Sequence, residues 1–296
     1  MKILQLDTNV DLWIAYSWGN FNQGICGHLY ESIEYYYILK DHFKTKILIC
    51  EDMDIQTIKK AIVSKYDFTE DELEDILNAF VFHHQPLIVK GNNLLLVDGN
   101  FNTMSNKHLY FNNIFMFSCS DLTYLDKDVI ALQDQRFHPI HKTGHHYIKK
   151  ILFSKLKKLT KYNPGNMVYI TNGVRELSNE RLIELCKDYS NIKLFTNVER
   201  YKELPHKFTY YEVPVDNPFE EFDTYIYTPI ERKKDCSPRF IAECAWYNKE
   251  VVFVGIDYWE EDKGLFYRVE DIQNIDSVSL KQDDDIIRIL KAEICC

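Results

Sequence analysis

No stretch of this chain stays apolar for the roughly 20 residues that span a bilayer. Met1-Lys2 leads straight into the strand-like run MKILQLD, so neither a membrane span nor a secretory leader is expected. The eight cysteines lie scattered and include no CxxC pair, which gives no disulfide framework and fits reduced thiols in the cytoplasm. Basic residues are in short supply: 35 Lys and Arg face 45 Asp and Glu, for a net charge of −10. Phosphate backbones attract Lys and Arg, so that balance counts against a nucleic-acid partner. Neither half carries G-x-G-x-x-G after a strand, which disfavours a nicotinamide dehydrogenase; Gly24-x-x-Gly27 is the nearest approach. The lack of a Walker sequence disfavours ATPase and kinase readings. No repeat of fixed period and no low-complexity segment is present.

What is there suffices for packed cores: 46% of residues are hydrophobic and 14% aromatic. At 296 residues the chain suits two domains of about 140 residues each. Short apolar runs of strand length alternate with helical patterns. Met1–Asp7 reads as a strand, Asn9–Gly27 as a long loop and Leu29–His42 as a helix. Lys46–Cys50 is a strand, followed by helices over Ile55–Val63 and Thr69–Phe80, the second with Glu70, Asp71 and Glu72 where the helix dipole favours them. Leu87–Val97 holds two apolar runs split by Gly91-Asn92-Asn93, a hairpin-like or strand-turn signal, and Ile114–Cys119 and Val129–Leu132 are further strands. His138–Lys161 breaks the rhythm with seven lysines and ends at Asn163-Pro164-Gly165. A domain change is expected there, giving domains 1–147 and 148–275, with 276–296 as a helix packing back on the first. The second half repeats the alternation and closes with a helix over Asp283–Ile294, whose acidic start is Asp283-Asp284-Asp285. Strands alternating with helices give an α/β class with mainly parallel sheets covered on both faces, as two Rossmann-like halves.

The second half is organised around Asp235–Phe253, DCSPRFIAECAWYNKEVVF. Ser237-Pro238 makes a turn, Pro suits the first turn of a helix, and Arg239 and Glu243 follow one turn apart on one face. A helix N-terminus with a cation suits a diphosphate, and a carboxylate can accept hydrogen bonds from two ribose hydroxyls. The plainer reading is a surface ion pair on a core-packing helix. The half opens with Thr171-Asn172-Gly173-Val174-Arg175 after a strand, where Gly173 permits close backbone approach and Arg175 supplies charge. Two phosphate-suited elements in one domain favour a nucleoside diphosphate.

These segments resemble a GT-B glycosyltransferase and, in detail, the DNA β-glucosyltransferases of T-even bacteriophages. Tyr30–Tyr36 through Lys46–Ile49 is similar to that family's first helix and second strand, which implies that Glu31 touches the transferred sugar. Asp134-Gln135-Arg136 resembles its Asp-x-Arg motif, whose aspartate is the catalytic base. Met167–Asn197 resembles the opening of its donor domain, with Arg175 on the phosphates and, across a short gap, Arg181. Arg239 and Glu243 match an arginine on the diphosphate and a glutamate on the ribose, at a spacing of four here where the family has three. The resemblance implies two facing Rossmann-like domains with an inter-domain cleft and a UDP-sugar donor. It also implies a double-stranded DNA acceptor bearing hydroxymethylated bases, a monomer, and the host cytoplasm as location.

A base at Asp134 would take the acceptor's proton while its oxygen attacks the anomeric carbon, a single displacement that inverts configuration. The bland alternative is an Asp that caps a turn or pairs with Arg136. His138, His141, His145 and His146 superficially suit zinc, yet no Cys or carboxylate completes a familiar spacing, so no metal site is expected. Mg or Mn could assist the departing diphosphate without dedicated ligands. The lysines from 142 to 161 read as a nucleic-acid track or, more simply, a solvated helix face. Trp13, Trp18 and Phe21 are stacking candidates or core residues. The reading is therefore a UDP-sugar-dependent glycosyltransferase acting on a modified base in DNA. Its rivals are the same enzyme on a carbohydrate, lipid or small molecule, and a non-catalytic nucleotide- or DNA-binding module.

Overall fold

Two parallel sheets account for the alternation of apolar runs and helical patterns. A computed structural model describes residues 3–15, 25–50, 52–83, 88–97, 109–118, 129–133, 144–147, 152–170, 177–213, 215, 217–228, 239–254 and 275–295. The chain divides into one unit of residues 1–156 with 274–296 and a second of 157–273. Among the described residues no helix is long and apolar enough to cross a membrane.

The first unit runs β1 (Ile3–Gln5), β2 (Leu12–Ala15), α1 (Gly27–Leu39), β3 (Thr45–Ile49), α2 (Ile55–Lys65), α3 (Glu70–Ala79), β4 (Phe80–Phe82), β5 (Ile88–Leu96), β6 (Leu109–Ser118), β7 (Ile130–Gln133) and β8 (Gly144–His146). Its sheet has the order β4-β3-β2-β5-β6-β7-β8, with β1 also on β5. Every one of these pairings is parallel. From β2 the chain builds outward through β3 and β4, and from β5 outward the other way, so the order reverses between β2 and β5.

Two expectations fail here for one reason. The span Asn9–Gly27 is not all loop, because Leu12–Ala15 forms the fully buried β2. Gly91-Asn92-Asn93 makes no hairpin, because β5 runs unbroken through it. β1 and β2 share one edge of β5, pairing at Ile3–Ile88 and at Trp13–Leu94, and the asparagines hold the break between them. Asn92 Nδ2 donates to the carbonyls of Thr8 (2.8 Å) and Val10 (2.9 Å), and Asn93 Nδ2 to that of Asp11 (2.8 Å). Val89 and Leu94 lie in one core cluster, although unbroken alternation would send them to opposite faces. Gly91 is required for space: a Cβ there would stand 2.7 Å from Phe111 Cε1 and 3.2 Å from Leu6 Cδ1. Gly91→Ala is expected to lower stability by about 1–3 kcal/mol, as overpacking does, in urea unfolding. A companion Phe111→Leu should recover part of that loss.

α3 is closed by a capping box, with Glu72 N donating to Thr69 Oγ1 at 3.2 Å and Thr69 N to Glu72 Oε2 at 2.9 Å. The helix stops at Ala79, one residue before the expected end, and Phe80–Phe82 becomes edge strand β4. Glu72 also receives Lys155 Nζ on both oxygens, at 2.7 and 2.9 Å, and the Tyr37 hydroxyl. Lys155 ends a 3-10 turn, Phe153–Lys155, and Tyr66 bridges to Leu156. The described part of the lysine-rich segment is thus strand, turn and extended chain, not a solvated helix face, and Lys155 is spent on Glu72. Partial burial works to raise the Glu72 carboxyl, but hydrogen bonds from Lys155, Tyr37 and the Thr69 amide outweigh it and hold it at about 2. A carboxyl held down in the folded state stabilises fully above its ordinary value of 4.5, and the contribution fades as pH falls towards about 2. Glu72→Gln is therefore expected to melt below wild type at pH 7, with the gap closing steadily in acid. A gap independent of pH would contradict this.

The second unit runs β9 (Asn166–Ile170), α4 (Asn179–Leu185), β10 (Ile192–Thr196), β11 (Phe208–Glu212), β12 (Thr224–Tyr227), α5 (Arg239–Trp246) and β13 (Glu250–Phe253). Its sheet is parallel throughout in the order β11-β10-β9-β12-β13. Alternate residues build a core on each face. Val168, Ile170, Leu194 and Ile226 pack with Leu182 of α4, while Met167, Phe195, Tyr225 and Tyr227 pack with Ile241 and Cys244 of α5. Among the described residues the unit is an α/β layer with α4 on one face and α5 on the other, and its strand order reverses between β9 and β12.

The last helix, α6 (Ile275–Ile294), belongs with the first unit. His145 Nε2 of β8 meets Glu293 Oε1 at 2.8 Å, and Asn113 Nδ2 of β6 donates to the Glu293 carbonyl at 3.3 Å. Asp283-Asp284-Asp285 falls inside this helix and not in its first turn, which corrects the expected start.

Candidate functional site

In open parallel sheets ligands bind beyond the carboxyl ends of the strands where the order reverses. In the second unit those are the ends of β9 and β12. The chain that follows β9 carries Thr171, Asn172, Gly173 and Arg175, and the chain that follows β12 carries Ser237 and Pro238; these six lie outside the described residues. The described flanks are firmly held. Tyr201, 1% exposed, accepts from Leu177 N at 3.0 Å and donates its hydroxyl to the Leu177 carbonyl at 2.7 Å. Arg200 Nη2 donates to the same carbonyl at 2.7 Å. Ser178 caps α4 by accepting from Arg181 N at 3.2 Å, which leaves the Arg181 side chain exposed in the first turn.

The other flank is the head of α5. Arg239 Nε meets Glu243 Oε1 at 2.6 Å, with the side chains 11% and 2% exposed. The plainer expectation of a surface pair is corrected for the carboxylate: Glu243 is buried, and Arg239 is partly so. Phe240 anchors the same turn by stacking on Tyr169 of β9, ring centres 5.6 Å apart and planes 4° from parallel. Burial first, and the Glu243 charge second, push the Cys244 thiol and the Tyr247 hydroxyl upward, and Arg239 opposes the effect on Tyr247. Burial makes a charge on Glu243 costly, and the Arg239 cation offsets part of that cost.

In the first unit the reversal lies between β2 and β5, and α1 is the helix that follows β2 in the chain. Glu31 sits in its second turn, and Glu31 Oε2 is 3.0 Å from His28 Nδ1. The imidazole is 36% exposed and the carboxylate 8%, so His28 stands outward and Glu31 behind it. Sequence reading missed His28, although a His three residues before a Glu on a helix was a legible signal. It also missed Glu34, a buried carboxylate that accepts from the Tyr66 hydroxyl at 2.9 Å and from Leu152 N at 3.1 Å. Asp134 follows directly on the last residue of β7, but it and Arg136 lie outside the described residues, as do Trp18 and Phe21. Trp13 is 2% exposed in the sheet core and is no stacking platform. Of the histidine cluster, His145 is engaged by Glu293.

No family model matches the chain, and no curated protein matches it. Among solved structures it is similar to a UDP-N-acetylglucosamine 2-epimerase from Rickettsia bellii, at 10% identity over 97% of this chain and 98% of that one, with a TM-score of 0.44. It is also similar to MurG of Acinetobacter baumannii, at 11% identity over 95% and 99% of the two chains, with a TM-score of 0.34. Likenesses this distant carry no weight for what the chain binds or does.

Proposed function

We propose that this protein is a GT-B glycosyltransferase that moves a sugar from a uridine diphosphate donor to a hydroxyl group, the second unit holding the nucleotide. The observation that carries the reading is the strand order of the second sheet. It reverses between β9 and β12, and the segments marked in the sequence for phosphate are the ones that follow those two strands. Arg239, oriented by the bond from its Nε to Glu243, would bring its positive charge to the diphosphate, and Arg175 and Arg181 would add charge. Glu243 would exchange part of its bond to Arg239 for the ribose hydroxyls. Two parallel α/β units and a last helix that returns to the first are the layout the GT-B resemblance implies.

In the transfer step the acceptor oxygen bonds to the anomeric carbon and the bond to the diphosphate breaks. The diphosphate leaves with that electron pair, and the acceptor's proton passes to Asp134. The proposed acceptor is a 5-hydroxymethylcytosine-type base in phage DNA, supported by the resemblance at Glu31, Asp134 and Arg136. The net charge of −10 favours a second reading, a carbohydrate, lipid or small-molecule acceptor. Incubation with nucleotide sugars and both kinds of acceptor, read by mass spectrometry, tests both. Transfer to hydroxymethylated duplex supports the first, and transfer to the small acceptors alone supports the second.

A further inference from the structure

We propose that Thr228, at the carboxyl end of β12, binds the pyrimidine base of the nucleotide through its hydroxyl. This rests on the placement of the nucleotide in the second unit and names a residue that neither spacing nor resemblance supplied. The ladder between β9 and β12 ends at Tyr225–Met167. β9 stays paired with β10 as far as Ile170–Thr196, and β12 with β13 as far as Tyr227–Phe253. The last residues of β9 and β12 therefore share no rung, and the sheet parts where its strand order reverses. Thr228 follows β12 directly at that parting. It is 8% exposed, and its hydroxyl has no hydrogen-bond partner among the described residues. Thr196, at the same end of β10, shows the contrast: it is wholly buried, but its Oγ1 accepts from Val198 N at 3.1 Å. A hydroxyl withdrawn from water without a partner is costly, and a ligand that bonds it removes the cost.

The surroundings select the part of the nucleotide. Alternation along β12 places Thr228 on the face of Ile226, shared with Ile170 at the end of β9 and Val254 beyond β13. A neutral hydroxyl among aliphatic side chains suits a neutral ring with a donor and acceptors on its edge, whereas the charged diphosphate goes to arginines. The threonine O–H can donate to a uracil carbonyl or accept from the ring N–H.

The test uses the full chain with Thr228→Val, which keeps the shape without the hydroxyl, and Thr228→Ser, which keeps the hydroxyl. Thr228→Val is expected to melt at or above the wild-type temperature, because it removes a buried hydroxyl that lacks a partner. By calorimetry it should bind UDP about tenfold more weakly, the worth of one hydrogen bond. Thr228→Ser should stay within about threefold of wild type. The tenfold loss should persist with UMP and with 2′,3′-dideoxy-UDP, which lack the second phosphate and the ribose hydroxyls. A loss that disappears with UMP would put the hydroxyl on the diphosphate, and one that disappears with the dideoxy analogue would put it on the ribose. Either result overturns the proposal. So would wild-type UDP affinity in Thr228→Val, no rescue by Ser, or a lowered melting temperature in Thr228→Val, which would make the hydroxyl a structural one. Failure of the underlying placement shows instead in the wild type, as no UDP binding, and would take this inference with it.

Discussion

Asp134→Asn is expected to cut sugar transfer by about 10²–10⁴-fold, the usual worth of a positioned base, while UDP affinity stays within about twofold. An amide of the same shape cannot take the acceptor's proton, so the attacking hydroxyl keeps it and remains a poor nucleophile. The nucleotide is assigned to the other unit, which is why binding and turnover should separate cleanly in this variant. Asp134 follows the carboxyl end of β7, the end of the sheet where a parallel α/β layer collects its functional side chains. Wild-type turnover in the Asn variant would remove Asp134 from the mechanism. Loss of UDP binding together with turnover would make it a structural residue.

The second large effect concerns the ion pair at the head of α5. Arg239→Ala takes the arginine cation away from a carboxylate that is 2% exposed, and removing one partner of a buried pair costs about 3–5 kcal/mol. The same variant is expected to lose measurable UDP binding. One change with two consequences cannot tell a ligand from a brace, but a double change can. Arg239→Met with Glu243→Leu replaces both charges by apolar groups of similar volume, which is commonly neutral or stabilising in buried sites. That protein should melt near wild type and still fail to bind UDP. If it binds UDP normally, the pair only braces α5 against Tyr169 and the second sheet.

How much of this could be read beforehand varied with the physics of each segment. The second unit was largely legible because its strands alternate cleanly: Val168 and Ile170 against Met167, Ile192 and Leu194 against Phe195. That pattern, with Ser178 capping α4, left little freedom for another layer arrangement. β2 was hidden because LWIA is a central strand buried on both faces, so it shows no alternation and is only four residues long. The asparagines of β5 misled because Gly-Asn-Asn is turn chemistry by composition. Here they serve as side-chain donors to a neighbouring break, a long-range role that no local window reveals. The early start of α6 was masked by Asp283-Asp284-Asp285, which mimic the acidic first turn of a helix from within it. At the candidate site, Arg239 and Glu243 were found by spacing, but their burial was not, because burial depends on how Phe240 and Tyr169 stack. His28 went unnoticed because only Glu31 carried a resemblance.

The proposal as a whole stands on a nucleoside diphosphate bound where the second sheet reverses its strand order. The direct measurement is photolabelling with a light-activated UDP analogue, followed by peptide mapping with and without competing UDP. Labelling that UDP suppresses is predicted in peptides spanning 171–181 and 231–243. Saturable labelling confined to other peptides, or no UDP-suppressible labelling at all, would contradict it.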